Sequence, residues 1–335
     1  MSKKIFVTGV AGFLGSHLAD QMLLGGHKVV GCDNLVGGDK GNVPKGVHFF
    51  ESDCSDLKEM VIIMKDCDVV YHCAALAPVG LSVFSPYTIT HSIVDATVSV
   101  LSAAVQNSVK RFIFCSSMDR YGKNQVPFTE DMRPEPQDPY GVAKVAAEEF
   151  VKNICSTFGI EHVIVVPHNI IGTRQKYDDP FRNVVSIMIN MMLQGRQPII
   201  YGDGEQKRSF CFVSDCIYSL EKCLDDKRVV GQIINIGNDD NFMTINELAK
   251  KIADVLHFDL NAVYIKDRPQ EVKVAYCSVD KARDLLGFRT EKKFDEVLLE
   301  MISSIKNKGP KKFEYHLPLE IKNEKTPKTW SEKLF

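Results

Sequence analysis

An α/β fold, a doubly wound parallel sheet carrying a smaller α/β substrate-binding lobe, is predicted by three features of this 335-residue chain. Apolar strand-like runs alternate with helical patterns from the first residues onward. The runs are continuously apolar, not alternating, as in strands buried on both faces. A glycine-rich turn, "VTGVAGFLGSHLA", joins the first strand to the first helix, the place where such folds bind phosphates.

The strand "KIFVTG" enters a helix that runs to about Gly25, and strands follow in "HKVVGCD", "VHFFESD", "CDVVYHCAA", "KRFIFCSS" and "EHVIVVPHN". Two further helices are predicted, one over about 85–107 and one opening at "DPYGVAKVAAEEFVKNI", with Asp138 as N-cap and Pro139 in the first turn. After Asn169 the pattern loosens into a helical "FRNVVSIMINMMLQG", a turn at "YGDGEQ" and a strand in "GQIINIG". The expected organisation is a dinucleotide-binding domain over 1–168 with return segments at about 206–240, a second lobe from 169–205 and 241–307, and a tail over 308–335. The tail is basic, proline-punctuated and holds the only Trp. It reads as an arm lying on the chain's own surface or on a subunit partner, with a docking role as the alternative.

Composition narrows the functional classes. With 44% hydrophobic and 25% charged residues and a formal charge of -2, the chain reads as globular, and no Lys/Arg cluster is long enough to track a nucleic-acid backbone. No apolar run reaches about 18 residues, so no membrane span is expected. The ten cysteines form no CxxC pair and no zinc spacing, so they read as reduced residues of a cytoplasmic protein with no metal site. The opening "MSKKIFVTG" enters a strand directly, which leaves no room for a signal peptide.

In the glycine turn, Gly9 allows the tight bend, Gly12 admits a pyrophosphate to the backbone, and Gly15 lets helix and strand pack closely. The free N–H groups of the helix N-terminus then face the diphosphate. Asp33 ends the second strand about 20 residues on, where a carboxylate takes ribose hydroxyls. It also repels a 2′-phosphate, and no Arg or Lys follows until Lys40. The cofactor expected is NAD. Asp53, closing "FFESD", is placed either to reach the adenine amine or to cap a helix.

"PYGVAK" sets Tyr140 and Lys144 four residues apart on one helix face. A phenol of ordinary pKa near 10 is a poor base at neutral pH, so an adjacent ammonium and the nicotinamide's positive charge are expected to lower it. Ser117, at the carboxyl end of a central strand, is placed to bond the same substrate hydroxyl.

Together these residues resemble the NAD-dependent nucleotide-sugar epimerase/dehydratase type of extended short-chain dehydrogenase/reductase, whose cofactor domain is Rossmann-like. The likeness runs through "TGVAGFLGSHL", "DN", "YHCAA", "SSMDRYG", "YGVAK", "NIIGTRQ", "IIYGDGEQKRSFCFVSD", "INIG" and "RPQEVK", to about Asn307. It implies catalytic roles for Ser117, Tyr140 and Lys144. It implies cofactor contacts for Gly9, Gly12, Phe13, Leu14, Gly15, Asp33, Asn34, Asp53, Cys54, Ala74, Ala75, Ser92 and Pro167, beside Tyr140 and Lys144. For a nucleotide sugar it implies Ser117, Met118, Asn169, Asn183, Tyr201, Arg208 and Arg268, the arginines for the diphosphate because a planar guanidinium binds two oxygens at once. His168, near Asn169, is expected either to face the nicotinamide or to fill the junction between lobes. The helix over 85–107 and the Tyr140 helix are apolar on more than one face. The resemblance implies that they pair into a homodimer through a four-helix interface; the alternative is packing beneath the second lobe.

"SSMD" separates the possible reactions. By resemblance, dehydratases and decarboxylases follow the active-site Ser or Thr with Asp-Glu or Ser-Glu. Here Met118, which moves no proton, and Asp119, one methylene shorter than Glu, follow Ser117. The expectation is a 4-epimerase of a UDP-hexose or UDP-hexuronic acid. A 4,6-dehydratase or decarboxylase using Asp119, a 4-dehydrogenase and a non-catalytic NAD sensor are the alternatives.

Overall fold

The structure, a computed structural model, describes residues 1–240, 242–269 and 272–335. Gln270 and Glu271 of "RPQEVK", and Asn241 at the start of the expected 241–307 segment, lie outside the described residues.

Strands β1 (Lys4–Thr8), β2 (Lys28–Asp33), β3 (His48–Glu51), β4 (Val69–His72), β5 (Arg111–Cys115), β6 (Glu161–Pro167) and β7 (Ile233–Ile236) form one sheet. Their order is β7-β6-β5-β4-β1-β2-β3, and every pairing is parallel. The apolar runs fall in these strands because Ile5, Phe6, Val70, Phe112, Ile113 and Val163 have helices on both sides and no exposure. Strand order reverses between β1 and β4, and a crevice opens there beyond the carboxyl ends.

Helices α1 (Phe13–Leu24), α2 (Pro86–Gln106) and α3 (Pro139–Phe158) flank that crevice. Asp138 caps α3 as predicted, its carboxylate accepting from the Gly141 N–H at 2.8 Å, an arrangement worth about 1 kcal/mol. Helix α2 is long and apolar enough to cross a bilayer by length and composition, yet half of that apolar window is buried inside the protein. Ile89, Ile93, Val100 and Leu101 on it belong to the main core.

The second lobe uses short pieces. Val263–Ile265 pairs with Ile199–Tyr201, and Phe242–Thr244 and Val274–Ala275 flank Lys207–Ser209. Val184–Leu193, Ile245–Leu256 and Phe294–Lys308 are helices that enclose a separate core around Met188, Ile189, Leu248, Ile252, Leu298 and Met301. The tail packs on its own chain. Leu317 and Trp330 join Leu81, Phe84 and Phe181 in a third apolar cluster.

Below the crevice, His72 fixes the end of β4. Thr97 Oγ1 donates to the Ile93 carbonyl at 2.6 Å, so it accepts from His72 Nε2 at 3.0 Å. His72 Nδ1 therefore accepts from Thr8 Oγ1 at 2.8 Å, and Thr8 Oγ1 accepts the N–H groups of Cys73 and Ala74, each at 3.1 Å. Burial, helped by the Lys144 charge, pushes the His72 pKa down to about 3. Between that value and the ordinary 6.5 the unfolded chain binds a proton that the folded one refuses. His72 thus contributes stability above about pH 6.5 that is lost as pH falls toward 3, on the order of a few kcal/mol in all. His72→Gln is expected to flatten the fall in unfolding free energy between pH 6.5 and 4 relative to the parent protein, as read by denaturant titration. Equal slopes would contradict this role.

Candidate active site

A cleft of about 480 Å³ lies along the carboxyl edge of the sheet, within the usual range for a small-molecule site. Its floor is the glycine turn. Gly9 has a left-handed φ of 68°, and a Cβ there would stand 3.0 Å from the Ala74 backbone. A Cβ on Gly15 would stand 2.2 Å from the Gly9 carbonyl oxygen. Helix α1 begins at Gly12 with no side-chain cap and no acidic residue in its first turn, so its N–H groups and positive end remain for a diphosphate. Asp33 accepts from Ala11 N–H at 3.0 Å through one oxygen and from Leu35 N–H at 2.8 Å through the other. Burial raises its pKa. One carboxylate aimed by two backbone donors at the end of β2 fits dinucleotide ribose hydroxyls and repels a 2′-phosphate. These residues fit NAD.

Phe13, Leu14, Asn34, Asp53, Cys54, Ala74, Ala75, Ser92 and Pro167 line the same cleft. Asp53 does not cap a helix: it accepts from Ser55 N–H at 2.8 Å, from Ser55 Oγ at 2.7 Å and from Asn34 Nδ2 at 2.7 Å, while Asp56 caps the helix Leu57–Ile63. Ser92 donates to the Ile89 carbonyl at 2.8 Å.

Helix α3 carries Tyr140 and Lys144 to the cleft, and the end of β5 brings Ser117. Ser117 Oγ donates to Asp119 Oδ2 at 2.8 Å and accepts from the Asp119 N–H at 3.3 Å, which leaves one lone pair for the phenol or a ligand. The Lys144 ammonium lies 5.9 Å from the centre of the Tyr140 ring and donates to the Cys115 carbonyl at 2.8 Å. Burial pulls the Lys144 pKa down to about 8.

In the polypeptide by itself the pKa of Tyr140 is raised: burial pushes it up, the carboxylates of Asp119 and Asp138 add to this, and a hydrogen bond with Ser117 only partly opposes them. Lys144 gives one of its three N–H groups to a backbone carbonyl and keeps its charge beside the phenol ring; the expected lowering counts the nicotinamide's charge as well.

Met118, Asn169, Asn183, Arg208 and Arg268 line the same cleft. Asn169 and Asn183 take left-handed φ values of 40° and 49°, which Asn tolerates better than most residues. Asn183 also caps Val184–Leu193, accepting from Val185 N–H at 3.1 Å. Tyr201 does not line the cleft. Its ring lies under the Arg268 guanidinium at 4.5 Å, a platform for the arginine. His168 is buried between Tyr121 and Phe128, with ring centres at 6.2 and 6.3 Å, so of its two expected places it takes the lobe junction.

Sequence reading missed Arg182, Gln175 and the inward aspect of Asp138, all of which line the cleft. Arg182 is oriented by the buried Asp179 at 3.2 Å and reaches across to the Gly37 carbonyl at 3.5 Å. "PFRN" carries no spacing signal, though an arginine just before a helix that Asn183 caps is a usable hint. Asp138 was legible only as a cap. Its pKa is raised to about 6 by burial and by the neighbouring Asp119.

The profile of the NAD dependent epimerase/dehydratase family matches residues 5–237. A putative UDP-glucose 4-epimerase of Methanocaldococcus jannaschii is 35% identical over 309 residues, spanning 90% of this chain and 98% of the relative. A UDP-N-acetyl-alpha-D-glucosaminuronate decarboxylase of Bacillus cytotoxicus is 31% identical over 324 residues, 90% of this chain and 97% of the relative. Among solved structures, the UDP-glucose 4-epimerase of Thermotoga maritima with UDP-glucose superposes with a TM-score of 0.86 at 29% identity, covering 91% of this chain and 99% of that one.

Proposed function

The chain belongs to the NAD-dependent epimerase/dehydratase family, and on that premise we propose that it is a 4-epimerase of a UDP-hexose or UDP-hexuronic acid. The observation that carries the reading is the meeting of Tyr140, Ser117 and Lys144 at the edge of a dinucleotide cradle, in one cleft with Arg208 and Arg268. Tyr140 takes the proton of the C4 hydroxyl and later returns it, with Ser117 holding the same oxygen. Lys144, charged below about pH 8, keeps a cation near the phenol. Bound NAD would supply a hydride acceptor and donor at C4 and a positive charge opposing the burial penalty on the phenolate. Arg208 and Arg268 hold the diphosphate while the 4-keto sugar turns its other face, so no net oxidation follows. The test is to incubate the purified protein, without added reductant, with UDP-hexoses, UDP-N-acetylhexosamines and UDP-hexuronic acids, and to follow the sugar by NMR. Interconversion of C4 epimers is expected; none across the panel would remove the proposal.

Two half-buried carboxyls near Ser117 and Tyr140, those of Asp119 and Asp138, favour a neutral hexose over a hexuronate, whose own carboxylate would meet like charge. Asp119 is also the residue on which a lyase would rely. Its Oδ2 is committed to Ser117 at 2.8 Å, which supports the epimerase instead. Asp119→Asn is expected to keep C4 epimerisation within about tenfold, since one neutral hydrogen bond replaces a charge-assisted one. A product of the parent protein lighter by water or carbon dioxide, lost in this variant, would install the lyase reading.

A homodimer belongs to the same proposal. Tyr87 on α2 and Val142 and Phe150 on α3 are exposed at 77%, 54% and 40%, an apolar surface that a second copy would cover. Light scattering after gel filtration is expected to give twice the chain mass of 37.6 kDa; the monomer mass would contradict it.

A further inference from the structure

The tail is anchored beside the cleft, on the segment that leads into α2 and on the one that precedes Arg182. On one side, Glu320 caps α2, accepting from Tyr87 N–H at 2.9 Å and Thr88 N–H at 2.8 Å, while the Glu320 and Ile321 N–H groups bond the Phe84 carbonyl at 3.0 and 2.8 Å. On the other, Trp330 Nε1 donates to the Pro180 carbonyl at 3.2 Å, and its ring packs on Phe181 at 5.6 Å between centres.

Between these anchors the tail meets an arginine of the ligand site. A Cβ on Gly80, in the cleft wall, would lie 3.3 Å from the Trp330 ring and 3.5 Å from Arg268 Nη1. The Trp330 ring and the Arg268 guanidinium therefore both approach Gly80. Arg268 stacks on the Tyr201 ring at 4.5 Å, and the Tyr201 hydroxyl is hydrogen-bonded to Thr329 Oγ1. The backbone of the same residue, Thr329, accepts from Tyr315 Oη at 2.7 Å, which ties the end of the tail to its own beginning.

We propose that the C-terminal tail is a positioning element for the nucleotide-sugar diphosphate: Thr329 fixes Tyr201 as the platform under Arg268, and Trp330 confines the guanidinium from the Gly80 side. The inference rests on the reading of Arg268 as a diphosphate ligand. A flexible arginine loses side-chain entropy on binding an anion. The tail removes that freedom before the ligand arrives. Trp330 and Thr329 act through Arg268 and touch no reacting atom, so their loss falls on binding and not on turnover.

The experiment measures UDP binding by calorimetry, with bound NAD and steady-state constants determined on the same full-length preparations. Arg268→Ala, Thr329→Val and Trp330→Ala are each expected to weaken UDP about tenfold, with KM for the sugar nucleotide rising in step and kcat and NAD content little changed. Trp330→Phe is expected to restore most of the affinity. Adding Thr329→Val to Arg268→Ala is expected to cost nothing further, because both act through one guanidinium. UDP affinity unchanged in Thr329→Val and Trp330→Ala beside a weakened Arg268→Ala overturns the inference alone. Unchanged affinity in Arg268→Ala overturns the diphosphate reading and the inference with it. Thr329→Val preserves side-chain shape and carries the test should Trp330→Ala fail to fold.

Discussion

Replacing Tyr140 with Phe is expected to cut epimerisation by about a thousandfold or more while the protein keeps its fold and its NAD. The ring is 6% exposed and packed in the main core, and phenylalanine fills the same space. Only the hydroxyl is lost. A positioned acid–base group is worth about 10²–10⁴ in rate, and the upper part of that range applies because the neighbouring groups are engaged, Asp138 with the Gly141 N–H at 2.8 Å. Asp119 is tied to Ser117, and the Lys144 ammonium is tied to the Cys115 carbonyl. Initial rates by NMR, with NAD content read from the absorbance of the denatured supernatant, measure both halves of the expectation. A turnover within about tenfold of the parent enzyme would move the proton chemistry to another residue.

Gly15→Ala is expected to yield a protein without NAD. The added Cβ would stand 2.2 Å from the Gly9 carbonyl oxygen, 2.8 Å from its carbon and 3.2 Å from the Val10 Cα. All three neighbours are backbone, so no side chain can rotate away and the turn itself must shift. Such overpacking costs about 1–3 kcal/mol of stability, and the shift falls where the diphosphate must meet the first N–H groups of α1. Gly26→Ala is the comparison: its φ of 77° strains any side chain, yet nothing lies within 4 Å of the new Cβ. That variant is expected to lose some stability and keep its cofactor. Stoichiometric NAD in purified Gly15→Ala would show that the close approach at Gly15 does not shape the cradle.

The central sheet was legible because burial on both faces demands continuous apolar runs, and "KRFIFCSS" or "EHVIVVPHN" permits little else. Tyr140, Lys144 and Asp33 were legible because helix periodicity and a strand end fix their places within one element. Partners across elements were not. Cys73 and Cys115 look solitary in the sequence, but β4 and β5 are neighbours in register and bring their sulfurs to 3.7 Å. Tyr201 failed as a cleft residue because the side of a three-residue strand facing the ligand depends on what the tail covers. Arg182 was hidden for a related reason, since its target, the Gly37 carbonyl, lies 145 residues away. Helix spacing gives Tyr140 its proximity to Lys144 but not its depth of burial, which is the largest influence on the phenol in the polypeptide by itself.

The most direct test of the account uses UDP-glucose deuterated at C4, the purified full-length protein and no added cofactor. The expected result is the C4 epimer with deuterium still at C4 and no loss of water or carbon dioxide, because the atom removed from one face returns to the other. An epimer whose deuterium has washed out into solvent, or no epimer from the glucose, N-acetylglucosamine or glucuronic acid nucleotides, would contradict it.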